Sequence, residues 1–260
     1  MKLVIKIGGR ALENKDLTKQ FAHAIAGMAR QGHKIVVVHG GGVALSRTLH
    51  ELGRETQFID GLRITDPQTR DVALMVLAGQ MNKQLVAAIG RAGLPAVGLC
   101  GGDLKLFRAA KRRGQHDLGF VGDICSVDSQ WFETIWEHGA VPVISSIALG
   151  MDGEYYNVNA DQAASACAVA WKANALVFLT DVPGVKGADG AVIRWLDVES
   201  IGGMVQQTTV SGGMVPKLEA CTQALRRGVH RVRILPATSV EVLPGFFTHR
   251  IECGTEVVIH

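Results

Sequence analysis

The 260-residue sequence has no dense run of like charge. Lys111, Arg112 and Arg113 come nearest, and three basic residues more often form a solvated face than a nucleic-acid patch. A formal net charge of +3 suits small anionic substrates and requires no nucleic-acid partner. Cysteine is scarce and unpatterned. Cys100, Cys125, Cys167, Cys221 and Cys253 are odd in number and contain no C-x-x-C pair. Neither a disulfide framework nor a zinc site is indicated. Buried or half-buried free thiols in a reducing cytosol are expected. No signal peptide precedes the first strand-like run, 2–7. No apolar segment approaches bilayer-spanning length, so a soluble, cytoplasmic chain is expected. The nucleotide signatures G-x-x-x-x-G-K-[ST] and G-x-G-x-x-G after a strand are absent, as are H-R-D and D-F-G. A nucleotide, if bound, must be held by another arrangement.

What is present is ordinary globular material. Apolar residues make up 47% and charged residues 20%, which excludes a disordered chain. The length can bury a large core in one α/β domain or two fused lobes. Short apolar runs at 3–7, 35–38, 96–99, 141–144, 175–179 and 231–235 read as strands. Helical spacing marks 17–30, 43–52, 67–91, 160–171 and 215–227, and the third of these opens on Pro67, where a missing N–H costs little. Strand and helix alternating in this way predict a mainly parallel sheet with helices on both faces, an α/β three-layer sandwich. The segment 104–125 breaks the rhythm and reads as a β-hairpin. The best lobe boundary lies near 172–174.

Glycine clusters where strands end. Gly8 and Gly9 follow the first strand, Gly40, Gly41 and Gly42 the second, and Gly101 and Gly102 a later one. Gly212 and Gly213 precede a helix. Ligands of open parallel sheets sit at the strands' carboxyl ends. Glycine there lets backbone N–H groups approach an anion, and a helix N-terminus behind it adds favourable partial charge. Any one pair could be only a tight turn; four pairs together favour anion binding.

Three ionisable residues stand near these loops. Lys6 lies inside an apolar strand, one residue before Gly8. It either snorkels to water at the sheet rim or meets an anion that offsets its desolvation. Lys217 falls in the first turn of a helix, where a cation opposes the macrodipole unless a ligand compensates; a solvent-facing lysine is the other reading. Asp161 follows Asn159, a helix-capping residue, and the helix dipole alone could account for it. Asn157 and Asn159 place two amides on one face for a small polar ligand. Phosphoryl transfer needs in-line positioning and cations around the migrating group. Two lysines, Mg²⁺ and an aligning carboxylate meet that need.

The strings Lys6-Ile7-Gly8-Gly9, His39-Gly40-Gly41-Gly42, Gly61-Leu62-Arg63-Ile64-Thr65-Asp66, Asn157-Val158-Asn159-Ala160-Asp161 and Ser211-Gly212-Gly213-Met214-Val215-Pro216-Lys217 resemble the amino-acid kinase family. The third and fourth resemble its acetylglutamate kinase branch. The resemblance covers nearly the whole chain. It implies the family's αβα fold and transfer of the γ-phosphoryl of ATP, with Mg²⁺, to the side-chain carboxylate of N-acetyl-L-glutamate in arginine biosynthesis. A related acylamino-acid kinase of lysine biosynthesis and a non-catalytic acetylglutamate or nucleotide binder are the alternatives.

The same resemblance implies catalytic roles for Lys6, Lys217 and Asp161. Substrate binding would fall to Gly41, Gly42, Arg63, Asn157 and Asn159. Nucleotide binding would fall to Gly8, Gly9, Asp181, Val182, Pro183, Gly184, Val185, Lys186, Thr209, Val210 and Ser211. No residue is assigned as a metal ligand. Residues 1–173 would form a lobe for acylglutamate binding and dimerisation, and 174–260 one for the nucleotide. The hairpin 104–125 would lid the substrate. Val43-Ala44-Leu45-Ser46 departs from the residues common in relatives at that place. Arginine-inhibited relatives carry an extra N-terminal helix; with Lys2 already entering a strand, a homodimer without arginine feedback is expected.

Overall fold

The protein is described by a computed structural model covering residues 1–207, 209–210, 212–247 and 252–259. In chain order the elements are β1 (Lys2–Ile7), α1 (Gly9–Glu13), α2 (Lys15–Arg30), β2 (Lys34–His39) and α3 (Gly42–Glu51). Next come β3 (Phe58–Ile59), β4 (Leu62–Arg63), α4 (Pro67–Ala73), a π-helical stretch Leu74–Met81, α5 (Asn82–Arg91) and β5 (Ala96–Leu99). Then follow β6 (Phe107–Lys111), β7 (Gly122–Val127), α6 (Gln130–Glu137), β8 (Val141–Ser145), β9 (Ile147–Gly150), β10 (Tyr155–Asn157) and α7 (Ala160–Ala170). The last are β11 (Ala175–Thr180), β12 (Trp195–Asp197), α8 (Val198–Gln206), α9 (Met214–Arg226), β13 (Arg231–Pro236), a 3₁₀ stretch Ala237–Gly245 and β14 (Thr255–Val258).

Eight strands form the central sheet, in the order β12-β14-β13-β11-β1-β2-β8-β5. Every pair in it is parallel except β13 with β14. The chain leaves β1 toward β2 on one side of the sheet and leaves β11 toward β12 and β13 on the other, so the crevice between β1 and β11 is a topological switch point, where open sheets bind ligands. The end of β1 at Gly8, of β2 at Gly40 and of β11 at Asp181 all lie on that carboxyl edge.

Alternation along the strands splits the core into two layers. Leu3, Ile5 and Ile7 of β1 face α2, α3, α5 and the 3₁₀ stretch. Val4, with Val36 and Val38 of β2, faces α6, α7, α8 and α9. Lys6 shares the parity of Val4, which directs it toward α7 and α9. Both layers draw residues from either side of position 173, so the two expected lobes share one continuous sheet. Several of the helices begin on side-chain caps. Asn14 accepts from Asp16 and Leu17, Asp66 from Thr69, and Asn159 from Asp161 and Gln162.

The excursion 104–125 is a hairpin, β6 antiparallel to β7. It belongs to a second sheet, β10-β9-β6-β7. Two expectations are corrected here. Cys125 is exposed rather than buried or half-buried. The continuous helical region Pro67–Arg91, 25 residues long, does reach spanning length and apolarity. Half of its most apolar window is buried within the fold, where Val76, Leu77, Leu85 and Ile89 pack into the core.

Candidate active site

Asp161 is the centre of the site. Its Oδ1 pairs with Lys6 Nζ at 2.8 Å and its Oδ2 with Lys217 Nζ at 2.8 Å. The three residues are 7%, 9% and 5% exposed respectively, so their charges interact in a partly desolvated setting. Lys6 comes from the central strand, Asp161 from the first turn of α7 and Lys217 from the start of α9. Phe178 of β11 lies beside Lys6 in register and beneath Lys217, 5.2 Å from its Nζ. Both lysines are thus inside the fold, which excludes the rim and solvent-facing readings.

Burial pushes the Asp161 carboxyl up, but Lys6 and Lys217 outweigh it and hold the pKa at about 2. Burial lowers the Lys6 ammonium, with Lys217 acting in the same sense and Asp161 opposing. Two ammoniums against one carboxylate leave about one unit of positive charge to offer an incoming anion.

A cavity of 220 Å³ opens against Lys6 and Asp161. Lys6, Asp161, Gly41, Gly42, Asn157 and Asn159 are among its walls, and Arg63 closes one side. The Gly41 and Gly42 N–H groups have no protein acceptor among the described residues. Gly41 is closely packed: a Cβ there would lie 2.7 Å from Leu77 Cδ2, which would have to move aside. Arg63 donates from one terminal nitrogen to the Gly42 carbonyl at 3.0 Å and to Ser46 Oγ at 2.7 Å. Its guanidinium stacks over Phe58, 4.6 Å from the centroid. The other terminal nitrogen, Nη1, is buried and has no partner. A guanidinium held by neutral groups, with an unpaired buried N–H, fits a ligand carboxylate.

A second cavity, of 570 Å³, shares Gly61 and Leu62 with the first. The loop around Arg112 and His116 and the start of α9 line it. It lacks the triad, so the chemistry is assigned to the smaller cavity. Val121, just before β7 in the segment 104–125, lines that smaller cavity.

Of the nucleotide residues expected from sequence, Gly8 and Gly9 follow the carboxyl end of β1 and residues 181–186 that of β11, with corrections of detail. Gly9 opens α1. The Gly8 N–H is not a free donor; it binds the Leu179 carbonyl at 3.1 Å. Asp181 is exposed and paired with Arg10 at 2.7 Å, which ties the turn after β1 to the loop after β11. Val182 is half-buried, while Pro183 and Lys186 are exposed. Val185 is a supporting residue: its side chain is in the core, its N–H binds Thr255 Oγ1, and its carbonyl accepts from Ile193. Gly184 lies in the left-handed half of backbone space, φ 151°, and a Cβ there would meet Val192 at 2.7 Å. Thr209 and Val210 both donate to the Met204 carbonyl, with Val210 in the core. Ser211 lies outside the described residues. The Asn159 oxygen is occupied by its two cap bonds, so only its amide nitrogen faces a ligand.

Sequence reasoning passed over Phe58, Ser146 and Leu77 as walls of the cavity. It noted Ser46 only as part of an atypical segment, and not as the anchor of Arg63. No spacing rule links Ser46 or Phe58 to Arg63; the β3–β4 pairing sets Phe58 opposite Arg63, and Ser46 reaches it from α3.

Comparison with known proteins gives the family. Residues 1–236 match the amino acid kinase family. Acetylglutamate kinases of Acidobacterium capsulatum and Koribacter versatilis are each 58% identical over 258 residues, covering 99% of this chain and 99% of theirs. An N-acetylglutamate synthase from Neisseria gonorrhoeae, solved with coenzyme A and N-acetyl-glutamate, superposes with a TM-score of 0.87 at 25% identity. That match covers 99% of this chain and 59% of the synthase. With its parallel sheet and paired lysines, the chain belongs to the amino acid kinase family.

Proposed function

We propose that this kinase transfers the γ-phosphoryl group of ATP to the γ-carboxylate of N-acetyl-L-glutamate. The products are N-acetyl-L-glutamyl 5-phosphate and ADP, in arginine biosynthesis. The observation that carries the reading is Asp161 holding Lys6 and Lys217 at 2.8 Å each beside a cavity that ends in the unpaired Nη1 of Arg63.

Each group has a task. Arg63 grips the substrate's α-carboxylate, and its planar fork sets the orientation. Asn157, whose Nδ2 reaches Thr65 Oγ1 at 3.4 Å, and the Asn159 amide face the acylamino group. The substrate's γ-carboxylate then lies toward the triad and attacks the γ-phosphorus in line, with ADP leaving. No protein nucleophile is needed. Lys6 and Lys217 stabilise the charge on the transferring oxygens, and the Gly41 and Gly42 N–H groups add neutral donors. Asp161 keeps the two ammoniums apart and aimed. It also lessens the repulsion between them before the nucleotide arrives.

ATP enters as its Mg²⁺ complex. Both Asp161 oxygens already face ammoniums, and the described residues contain no group of three or more His, Cys, Asp or Glu placed to hold a metal. Such a donor set fits a cation carried by phosphate oxygens and water. Its chemistry there is charge neutralisation on the phosphates. The nucleotide lies over the segment 181–186 and residues 209–211, in the part of the chain after position 174. The acyl substrate lies in the part before it. The assembly is a cytoplasmic homodimer, to be checked by sedimentation of the pure protein with and without arginine.

A coupled ADP-release assay over a panel of acylamino acids tests the reading. Turnover should be greatest with N-acetyl-L-glutamate. Preference for N-acetylaminoadipate would reassign the substrate, and ADP release with no panel member would remove the activity.

A further inference from the structure

His39 is the last residue of β2 and is fully buried. It is not a wall of the substrate cavity, and its ring nitrogens bond elsewhere than the triad. Its Nδ1 lies 2.9 Å from the carbonyl of Gly40, the next residue. Its Nε2 lies 3.0 Å from Asn82 Nδ2. Asn82, also fully buried, reaches the Val143 carbonyl with the same nitrogen at 3.0 Å.

The direction of every bond in this chain follows from its ends. A carbonyl can only accept, so Val143 requires the nitrogen of the Asn82 amide on its side. That nitrogen then presents its second hydrogen to His39, so Nε2 must accept. Gly40 can also only accept, so Nδ1 must carry the proton. Only the neutral Nδ1–H imidazole satisfies both contacts. Burial agrees, holding the His39 pKa down at about 4.

The consequence lies one bond further on. The Gly40 carbonyl and the Gly41 N–H belong to one planar trans peptide and point in opposite directions. Holding the carbonyl inward at His39 therefore turns the Gly41 N–H outward, toward the cavity that Gly40, Gly41 and Gly42 line. Glycine has no side chain to set this plane, and its backbone is otherwise the most permissive available. The other side of the turn is tightly packed. Leu77 and Met81 of the π-helical stretch crowd Gly41, and Ala160 crowds Gly40. The π-helical stretch ends at Met81, and the next residue is Asn82, placed under His39. Single π-turns within α-helices are frequent at functional sites.

A buried imidazole and a buried amide cost free energy that leucine and phenylalanine would not. Satisfying a buried carbonyl is one use for them. We infer that the Val143–Asn82–His39–Gly40 relay is also a positioning device: it sets the Gly40–Gly41 peptide plane so that the Gly41 N–H donates to the transferring phosphoryl group. The inference rests on the phosphotransfer reading above and assigns His39 and Asn82 a part in it.

The test compares two amide substitutions at position 39. Asparagine places its amide nitrogen close to where Nδ1 stands and can still donate to Gly40. Glutamine places its amide near Nε2, facing Asn82, and cannot. His39→Asn should retain kcat within about threefold of the unsubstituted enzyme. His39→Gln should lose at least about tenfold in kcat, the scale of a misdirected transition-state donor. KM for both substrates should move little. Equal kcat in the two variants, or losses that follow melting temperature rather than donor position, would overturn the inference. A second measurement needs no variant. The ¹⁵N shifts of His39 in the unsubstituted protein should report a protonated Nδ1 and a bare Nε2, and the opposite tautomer would also overturn it. If N-acetyl-L-glutamate is not turned over at all, the activity reading fails on its own, while the tautomer still tests the relay.

Discussion

Lys217 Nζ donates to Asp161 Oδ2 over 2.8 Å, from the first turn and a half of α9 to the first turn of α7. Both helices thus point their positive N-terminal ends at one place, and the lysine adds a full charge there. That combination is unfavourable in the empty site and favourable once phosphate arrives. Lys217 therefore acts most strongly in the transition state. Lys217→Ala should lower kcat by roughly 100- to 1,000-fold, with the nucleotide's Kd changing far less. Steady-state kinetics together with nucleotide titration separate the two. Loss of nucleotide binding with kcat intact would reverse the assignment.

Asp161→Asn keeps the shape and removes the charge. Two buried ammoniums then face each other without a counter-ion, and breaking such a pairing costs on the order of 3–5 kcal/mol. The Asp161 pKa is about 2 in the folded protein, below its unfolded value. Its contribution is therefore present above the unfolded pKa and is lost as pH falls through about 2. Urea unfolding of the two proteins should differ by a constant amount near neutrality, and the gap should close in acid. Activity in the variant should fall along with stability. A variant as stable and active as the parent would remove Asp161 from the centre of the site.

Much of this was legible in the sequence, for a physical reason. The strand and helix rhythm records burial, and burial decides the fold. Lys6 was visible because a lysine flanked by Ile5 and Ile7 conflicts with its surroundings. Its contact with Asp161 and Lys217 was not readable from spacing, since they lie far along the chain and meet only through the order of β1, β11 and α9. The short strands β9, β10, β12 and β14 were also missed. They are only three or four residues long, too short for a periodic pattern to mark them. The free Gly8 donor failed for the same reason: its N–H goes to Leu179 in a neighbouring strand. His39 was visible only as the head of the string His39-Gly40-Gly41-Gly42, and no period or motif in it declares a hydrogen-bond relay to Asn82.

Arg63 makes its contacts with neutral groups, and burial lowers its pKa without changing its charge at ordinary pH. What it lacks is an anion. Arg63→Ala should raise KM for the acyl substrate by roughly 10- to 100-fold, the loss of a charge-assisted hydrogen bond of about 1.5–3 kcal/mol, with a smaller effect on kcat. Arg63→Lys should recover little of this, because an ammonium cannot present a fork. Initial rates at varied N-acetyl-L-glutamate decide the matter, and a lysine variant matching the parent would deny that the guanidinium's geometry matters.

The last prediction concerns acid. Burial, opposed only by the Gly40 carbonyl, places the folded His39 pKa at about 4, below the ordinary histidine value of about 6.5. Between those two values the unfolded chain binds a proton that the folded chain refuses, so stability falls as pH is lowered through this window. The difference of about 2.5 units corresponds to about 3 kcal/mol between neutral pH and pH 4. The carboxylates of Asp161 and Glu133, both held at about 2, add their own losses only below their unfolded values near 4. The upper part of the window therefore belongs mainly to histidine. His39→Asn has nothing to titrate there. Denaturant unfolding at intervals from pH 7 to pH 4 should show the parent losing stability along a slope that the variant lacks. Parallel curves for the two proteins would mean that His39 takes up its proton in the fold as readily as in water, and that its ring is not locked between Asn82 and Gly40.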